Sequence, residues 1–227
     1  MLKNFHIKRY AGLKLFSFLM VLKIMKEFWD QRYGNTKYAY GEEPNSWFKY
    51  RIDGMKPGKI LLPGEGEGRN GIYAARLGWE VHAFDQSIEG KRKAEKLAQK
   101  YNVEIDYKVG ELTELAFDLE LYDAVSLVFT HFAPGLREKY HRLLGTYLKR
   151  GGRFIIEGFS KEQLSMISES DSGGGPKNID MLYSIEELQH DFADYDIKEL
   201  RKEIVHLDEG IFHNGMSSVI RFDGRKS

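Results

Sequence analysis

The sequence contains no cysteine. Disulfide scaffolds, thiolate metal sites and cysteine nucleophiles are excluded together, and a cytoplasmic location is expected. Nor is there an excess of one charge, since 34 Lys and Arg balance 34 Asp and Glu over 227 residues. The broad electropositive surface that non-specific nucleic-acid binding requires is therefore lacking, and no nucleic-acid partner is expected. No run of about 18 apolar residues occurs, so stable membrane insertion through a spanning helix is not expected either. No His, Asp and Glu cluster has metal-ligand spacing, no metal is expected, and no internal repeat or linker divides the chain. What remains is 42% hydrophobic and 13% aromatic residues, enough to bury a core and to exclude disorder for the bulk.

The balanced charge hides an asymmetry. Residues 1–26 hold six basic residues (Lys3, Lys8, Arg9, Lys14, Lys23, Lys26) and no acid, leaving 28 basic against 34 acidic residues for the rest. The apolar stretch Leu15 to Leu22 follows this basic lead as in a signal peptide, yet no small-x-small cleavage site comes after it. Three readings of residues 1–25 stay open: a dispensable extension ahead of Met25, a basic amphipathic helix lying on a membrane or on the domain, and a signal. The main domain is expected over 26–227.

From residue 26 onward, strand and helix signals alternate. Lys59 to Leu62 is a short apolar run ended by Pro63-Gly64, and the spacing of Ile72, Ala75 and Leu77 predicts a helix over 68–77, stopped by Gly78. A second strand over 80–85, a charged helix capped by Ser87 and running to Lys100, and a third strand over 105–109 complete a βαβαβ pattern. Tyr122 to Phe129 reads as a strand covered on both faces. Pro134 opens a helix ending before Gly151-Gly152, and 153–157 is a fifth strand. Ser184-Ile185-Glu186-Glu187 has capping-box spacing for one more helix. Two last strands, about 195–207 and 217–223, are joined too closely for a parallel crossover. The expectation is an α/β, Rossmann-like, doubly wound seven-stranded sheet, mostly parallel with a C-terminal antiparallel hairpin.

Ligands of such sheets bind beyond the carboxyl ends of the strands. There the sequence reads Pro63-Gly64-Glu65-Gly66-Glu67-Gly68-Arg69-Asn70-Gly71, a glycine turn that opens a helix, where free amides favour an anionic group. Asp85 ends the second strand, 19 positions after Gly66, where a carboxylate can accept both ribose hydroxyls. Together they point to an adenosine-type nucleoside. The glycines satisfy two motifs: Gly66-x-Gly68-x-x-Gly71 is a dinucleotide fingerprint, and Gly64-x-Gly66-x-Gly68 is the loop of S-adenosylmethionine methyltransferases. The terminal hairpin and the lack of room for a separate substrate domain favour the second.

Three stretches carry a resemblance: Glu27 to Tyr33; Tyr38 to Asn45; and Gly66-Glu67-Gly68-Arg69-Asn70 with Asp85. Over about residues 26–223 the chain is similar to class I S-adenosylmethionine-dependent methyltransferases, nearest the small bacterial branch around tellurite-resistance and thiopurine methyltransferases. The resemblance implies S-adenosyl-L-methionine as cofactor, with Gly64, Gly66 and Gly68 along its methionine and ribose part, Arg69 near the carboxylate and Asp85 on the ribose. It further implies Gly110, Glu111 and Leu112 around adenine, and Phe129 and Thr130 under the sulfonium. One departure stands out, because the acid usual two residues before the first glycine is Leu62 here. Glu65 and Glu67 are the candidates to replace it.

Methyl transfer depends mainly on alignment, and a general base is needed only when the acceptor arrives protonated. His131, after the fourth strand, and His213, between the last two, are the candidate bases. Trp29, Tyr33, Tyr38, Tyr40 and Trp47 form an aromatic group suited to a lid, and Tyr40, in an irregular segment, is the expected contact. The loop 168–176 is a candidate substrate loop. Phe129-Thr130-His131-Phe132 stands where amino-methylating enzymes carry Asn/Asp-Pro-Pro-aromatic, which disfavours nucleic-acid bases and leaves a small molecule with sulfur, oxygen, nitrogen or a chalcogen as acceptor. An NAD(P)-linked oxidoreductase and a non-catalytic nucleoside-binding regulator on the same fold stay open as alternatives, and nothing here indicates an oligomeric state.

Overall fold

In the computed structural model, residues 23–167 and 174–227 are described. A helix over 23–33 (α1) precedes α2 (Ser46–Asp53), β1 (Lys59–Pro63), α3 (Arg69–Arg76), β2 (Glu80–Asp85), α4 (Ile88–Tyr101), β3 (Asp106–Val109) and β4 (Tyr122–Val128). There follow α5 (Arg137–Tyr147), β5 (Leu148–Phe159), the short α6 (Gln163–Met166), a 3-10 turn (Ile179–Met181), α7 (Ile185–Asp191), β6 (Tyr195–Glu209) and β7 (His213–Lys226).

The seven strands lie in the order β3-β2-β1-β4-β5-β7-β6. Pairs from β3 through β5 are parallel, and β7 runs antiparallel to both β5 and β6. The expected architecture is the observed one. Its two halves diverge at β1 and β4, which makes the carboxyl ends of those strands the switch point where ligands bind. β1 is buried because it is central: Ile60, Leu61 and Leu62 lie between β2 and β4 and face the cores on the two sides of the sheet. One core gathers Phe154, Leu144, Phe192 and Phe222 beneath α5 and α7. The other gathers Phe48, Ile52, Trp79 and Val81 beneath α2 and α3.

Local signals place several boundaries where the sequence puts them. The Ser87 hydroxyl accepts from the Gly90 amide to start α4, and Ser184 with Glu187 forms the capping box of α7. Others move. Pro134 lies in a turn, and α5 begins only at Arg137. β5 starts five residues earlier than expected, at Leu148, because Leu148 pairs with Tyr122 before an irregularity that shifts the register and takes up Gly151. The boundary drawn at 25/26 falls inside the helix over 23–33; residues 1–22, and 168–173 of the candidate substrate loop, lie outside the described part. Among the described residues no helix is long and apolar enough to cross a membrane.

Candidate active site

A pocket of about 500 Å³ opens at the carboxyl ends of β1, β2 and β4. Its floor is the glycine turn. Gly64 and Gly66 have φ of 64° and 61°, and a Cβ would stand 2.8 Å from the Thr130 methyl at Gly64 and 2.7 Å from the Tyr33 hydroxyl at Gly66. Only glycine allows both the turn and these approaches. Gly68 does something different: it caps α3 with φ 91° and packs on Ala94, away from the pocket lining. That expected contact is thus a helix start rather than a pocket wall. Tyr40, Gly64, Gly66, Arg69, Asp85, Gly110, Glu111, Leu112, Phe129, Thr130, His131 and His213 all line the one pocket.

Asp85 is 8% exposed. Its Oδ2 accepts from the Gly66 amide at 3.1 Å and its Oδ1 from the Ser87 amide at 2.9 Å. Burial pushes this carboxyl up to about 6 against the pull of those two amides, so at neutral pH a negative charge is held in a dry pocket wall. Glu111 is also raised, by burial and then by Glu114. Of the two acids in the turn, Glu67 is fully engaged: Lys93 Nζ donates to Oε1 at 2.6 Å and the Ala39 amide to Oε2 at 2.7 Å. Glu65 accepts from the Gly71 amide at 2.6 Å, at the start of α3. Burial pushes it up to about 7, and no lysine or arginine donates a hydrogen bond to it among the described residues.

At the end of β4, Phe129 sits at φ 52°, a left-handed conformation without glycine, which stores about 1–3 kcal/mol. It turns the ring against Phe159 (4.6 Å) and His213 (4.3 Å). Thr130 Oγ1 donates to the Pro63 carbonyl at 3.1 Å and fastens this end to the glycine turn. His131 lies alongside with both ring nitrogens occupied. Nε2 is 3.3 Å from the Phe159 amide, which can only donate, so Nδ1 carries the proton and donates to the Met181 carbonyl at 2.9 Å. Burial lowers this imidazole to about 4.

The lid expectation divides. Trp29, Tyr33 and Tyr40 line the pocket, whereas Tyr38 packs on α4 and donates to the Lys93 carbonyl, and Trp47 is a core residue flanked by Arg51, Arg201 and Arg221. Period and composition cannot separate a wall aromatic from a core aromatic. Arg69 is not free: it donates to the Tyr40 carbonyl at 3.0 Å and to Glu209 Oε2 at 2.7 Å. Glu209 also accepts from Asn45 Nδ2 at 2.8 Å, and the same nitrogen reaches Glu157 Oε1 at 2.6 Å. These partners, 112 and 164 positions apart, carry no local sequence signal. Outside the pocket lining, Glu138, His190 and Asp191 bring three ligand atoms within 4.8 Å, with Arg142 already on the Glu138 carboxylate.

Residues 60–152 match the family model described as methyltransferase domain. The sequence has no match among curated proteins. Among solved structures, one from work on the conversion of a disulfide bond into a thioacetal group during echinomycin biosynthesis is 18% identical with a TM-score of 0.69, covering 89% of this chain and 92% of that one. TehB from Haemophilus influenzae is 16% identical with a TM-score of 0.64, over 89% of this chain and 67% of its own. Geranyl diphosphate C-methyltransferase from Streptomyces coelicolor A3(2), solved with Mg2+, geranyl diphosphate and S-adenosyl-L-homocysteine, is 13% identical with a TM-score of 0.62, over 91% and 97%. At these identities the likeness is one of fold, and the domain match over residues 60–152 supplies the activity, methyl transfer.

Proposed function

We propose that the protein transfers the methyl group of S-adenosylmethionine to a small-molecule acceptor in the cytoplasm, and that its kinship is with the small bacterial branch near tellurite-resistance and thiopurine methyltransferases. The observation that carries this reading is the continuity of the pocket. It runs from the Asp85 carboxylate over Gly64 and Gly66 to an aromatic chamber around Phe129, Phe132, Phe159 and Met181. The cofactor supplies a methyl group on a sulfonium, an electrophile already activated, and the protein's task is to hold and align.

The wall fits that cofactor. Asp85 would accept from the ribose hydroxyls, and the glycine cradle, which a Cβ would fill, would let the backbone approach. Gly110, Glu111 and Leu112 would flank adenine. Arg69 would attract the carboxylate while remaining tethered to Glu209. Glu65 takes the place of the acid missing at Leu62, since Glu67 is engaged by Lys93; its carboxylate would meet the amino group. Phe129, Thr130 and Tyr40 would enclose the reacting end and exclude water. Both nitrogens of His131 serve the backbone, so we assign it to ordering the chamber and leave His213 as the group able to take a proton.

A small acceptor is also what the balanced charge and the enclosed aromatic chamber favour. The test is a thermal-shift panel with S-adenosylmethionine, S-adenosylhomocysteine, NAD and NADP, followed by transfer of labelled methyl into a metabolite extract. A ligand at 100 times its Kd stabilises by about 2.7 kcal/mol. Label in macromolecules alone would refute the small-molecule acceptor.

A further inference from the structure

Glu209 ends β6 and His213 begins β7, so the two face each other as the last register pair of the hairpin. The turn between them is pinned to the segment before α2. The Ile211 amide donates to the Ala39 carbonyl at 2.9 Å, and Gly210 (φ 73°) lies so close to Gly41 that a Cβ would stand 2.5 Å from its amide nitrogen. Glu209 is held at both oxygens, by Asn45 and by Arg69. His213 is 5% exposed, with its ring between Tyr40 (4.4 Å) and Phe129 (4.3 Å).

The two edges of this imidazole differ. Nδ1 is buried without a hydrogen-bond partner among the described residues and lies 3.8 Å from Glu209 Oε2. Nε2 is on the other side of the ring, 3.2 Å from where a Cβ on Gly174 would stand, and His213 shares the pocket lining with Gly175 and Pro176. A neutral imidazole carries one proton. A lone pair on Nδ1 would be repelled by the carboxylate, whereas an N–H there is attracted. We propose that Glu209 is a positioning residue that holds His213 in its Nδ1–H tautomer, so that Nε2 presents a lone pair to the pocket as the proton acceptor in methyl transfer.

This rests on the methyltransferase reading above. With an O–H, N–H or S–H acceptor, the acceptor's lone pair forms the new bond to the methyl carbon. The electron pair of the breaking carbon–sulfur bond stays with sulfur, and the acceptor's proton passes to Nε2. The imidazolium so formed faces Glu209. Charged and titratable groups around the ring come from every element packed against it: Glu209 of β6, Arg69 of α3, Arg32 of α1, Tyr40, and His131 after β4. Burial holds His213 below the ordinary imidazole range, and Glu209 opposes this while Arg69 and Arg32 add to it.

Long-range proton–nitrogen NMR of the 15N-labelled full chain, with and without S-adenosylhomocysteine, reads the tautomer directly; the signal lost in His213→Gln assigns the ring. The expected result is Nδ1–H in the unmodified protein, a shift toward Nε2–H and a titration moved to lower pH in Glu209→Gln, and recovery in Glu209→Asp. Finding Nε2–H in the unmodified protein would overturn the proposal, as would Glu209→Gln with tautomer and titration unchanged. If the Gln variant does not fold, the tautomer of the unmodified protein decides alone. Calorimetry with S-adenosylhomocysteine on the same sample tests the underlying reading separately, because a chain that does not bind it could still show the Nδ1–H tautomer.

Discussion

Replacing Asp85 by Asn should separate stability from binding. Its carboxyl stands at about 6 in the folded chain against an ordinary value of 3.8, so between those pH values the folded state holds more protons than the unfolded one. Stability contributed at this site therefore falls as pH rises through that window, and the full cost, about 3 kcal/mol, is present at pH 8. Asn removes the charge but keeps one oxygen for two amides, Gly66 and Ser87, and leaving one unpaired costs about 1–3 kcal/mol. At pH 8 the two effects offset, and the variant should be as stable as the parent or slightly more so. At pH 5 the parent has regained about 1–2 kcal/mol by protonation, which the variant cannot. Cofactor binding moves the other way: losing charge-assisted bonds to the ribose should weaken S-adenosylhomocysteine about 10- to 150-fold at pH 8. Chemical denaturation at pH 5 and pH 8 with calorimetry at pH 8 measures both. Unchanged affinity would refute the ribose assignment, and a destabilisation equal at the two pH values would refute the burial argument.

His131→Ala leaves the Met181 carbonyl and the Phe159 amide without partners and should destabilise by about 1–3 kcal/mol, with cofactor affinity and turnover falling together. A turnover loss above about 100-fold at unchanged affinity and melting temperature would instead make it the base. Deleting residues 1–24 should leave S-adenosylhomocysteine affinity within a factor of about two, because Met25 is the first of the described residues in the pocket lining; deleting 1–33 removes Trp29, Arg32 and Tyr33 and should lower affinity by about tenfold or more, both read by calorimetry. Asn45→Ala strips a donor shared by the buried Glu157 and Glu209, along with the α2 cap at the Phe48 amide. Urea denaturation should show a loss of about 3 kcal/mol or more, and a loss below 1 would mean that the network tolerates the gap.

The parts legible in the sequence are those whose cause is local. The glycine turn, Asp85 and the caps at Ser87 and Ser184 each need only a few neighbouring residues to define them, and each lies where its spacing puts it. Legibility fails where the partner is distant. Nothing near Glu209 announces that Arg69 and Asn45 will hold its carboxylate, or that burial would raise it while Arg69 keeps it down at about 2. His131 and His213 look alike as candidates in sequence, yet the backbone uses both nitrogens of one and leaves the other facing a carboxylate.

Leu62 shows how a departure from a motif becomes intelligible through packing. The side chain is 1% exposed in the core that also holds Ile60, Val81 and Ala83, and an ionised acid there would be buried among apolar groups with several kcal/mol of desolvation to offset. Three residues later the chain has left the sheet. Glu65 reaches the first amides of α3, where a carboxylate is favoured by the helix dipole as well as by the hydrogen bond from Gly71. Even there it stands at about 7, because the amides and the nearby Arg69 charge together do not compensate its burial. A carboxylate in that state gains more from an ammonium group beside it than one already paired, as Glu67 is with Lys93. The same loop thus holds one acid paired with a lysine and one with no lysine or arginine hydrogen bond among the described residues.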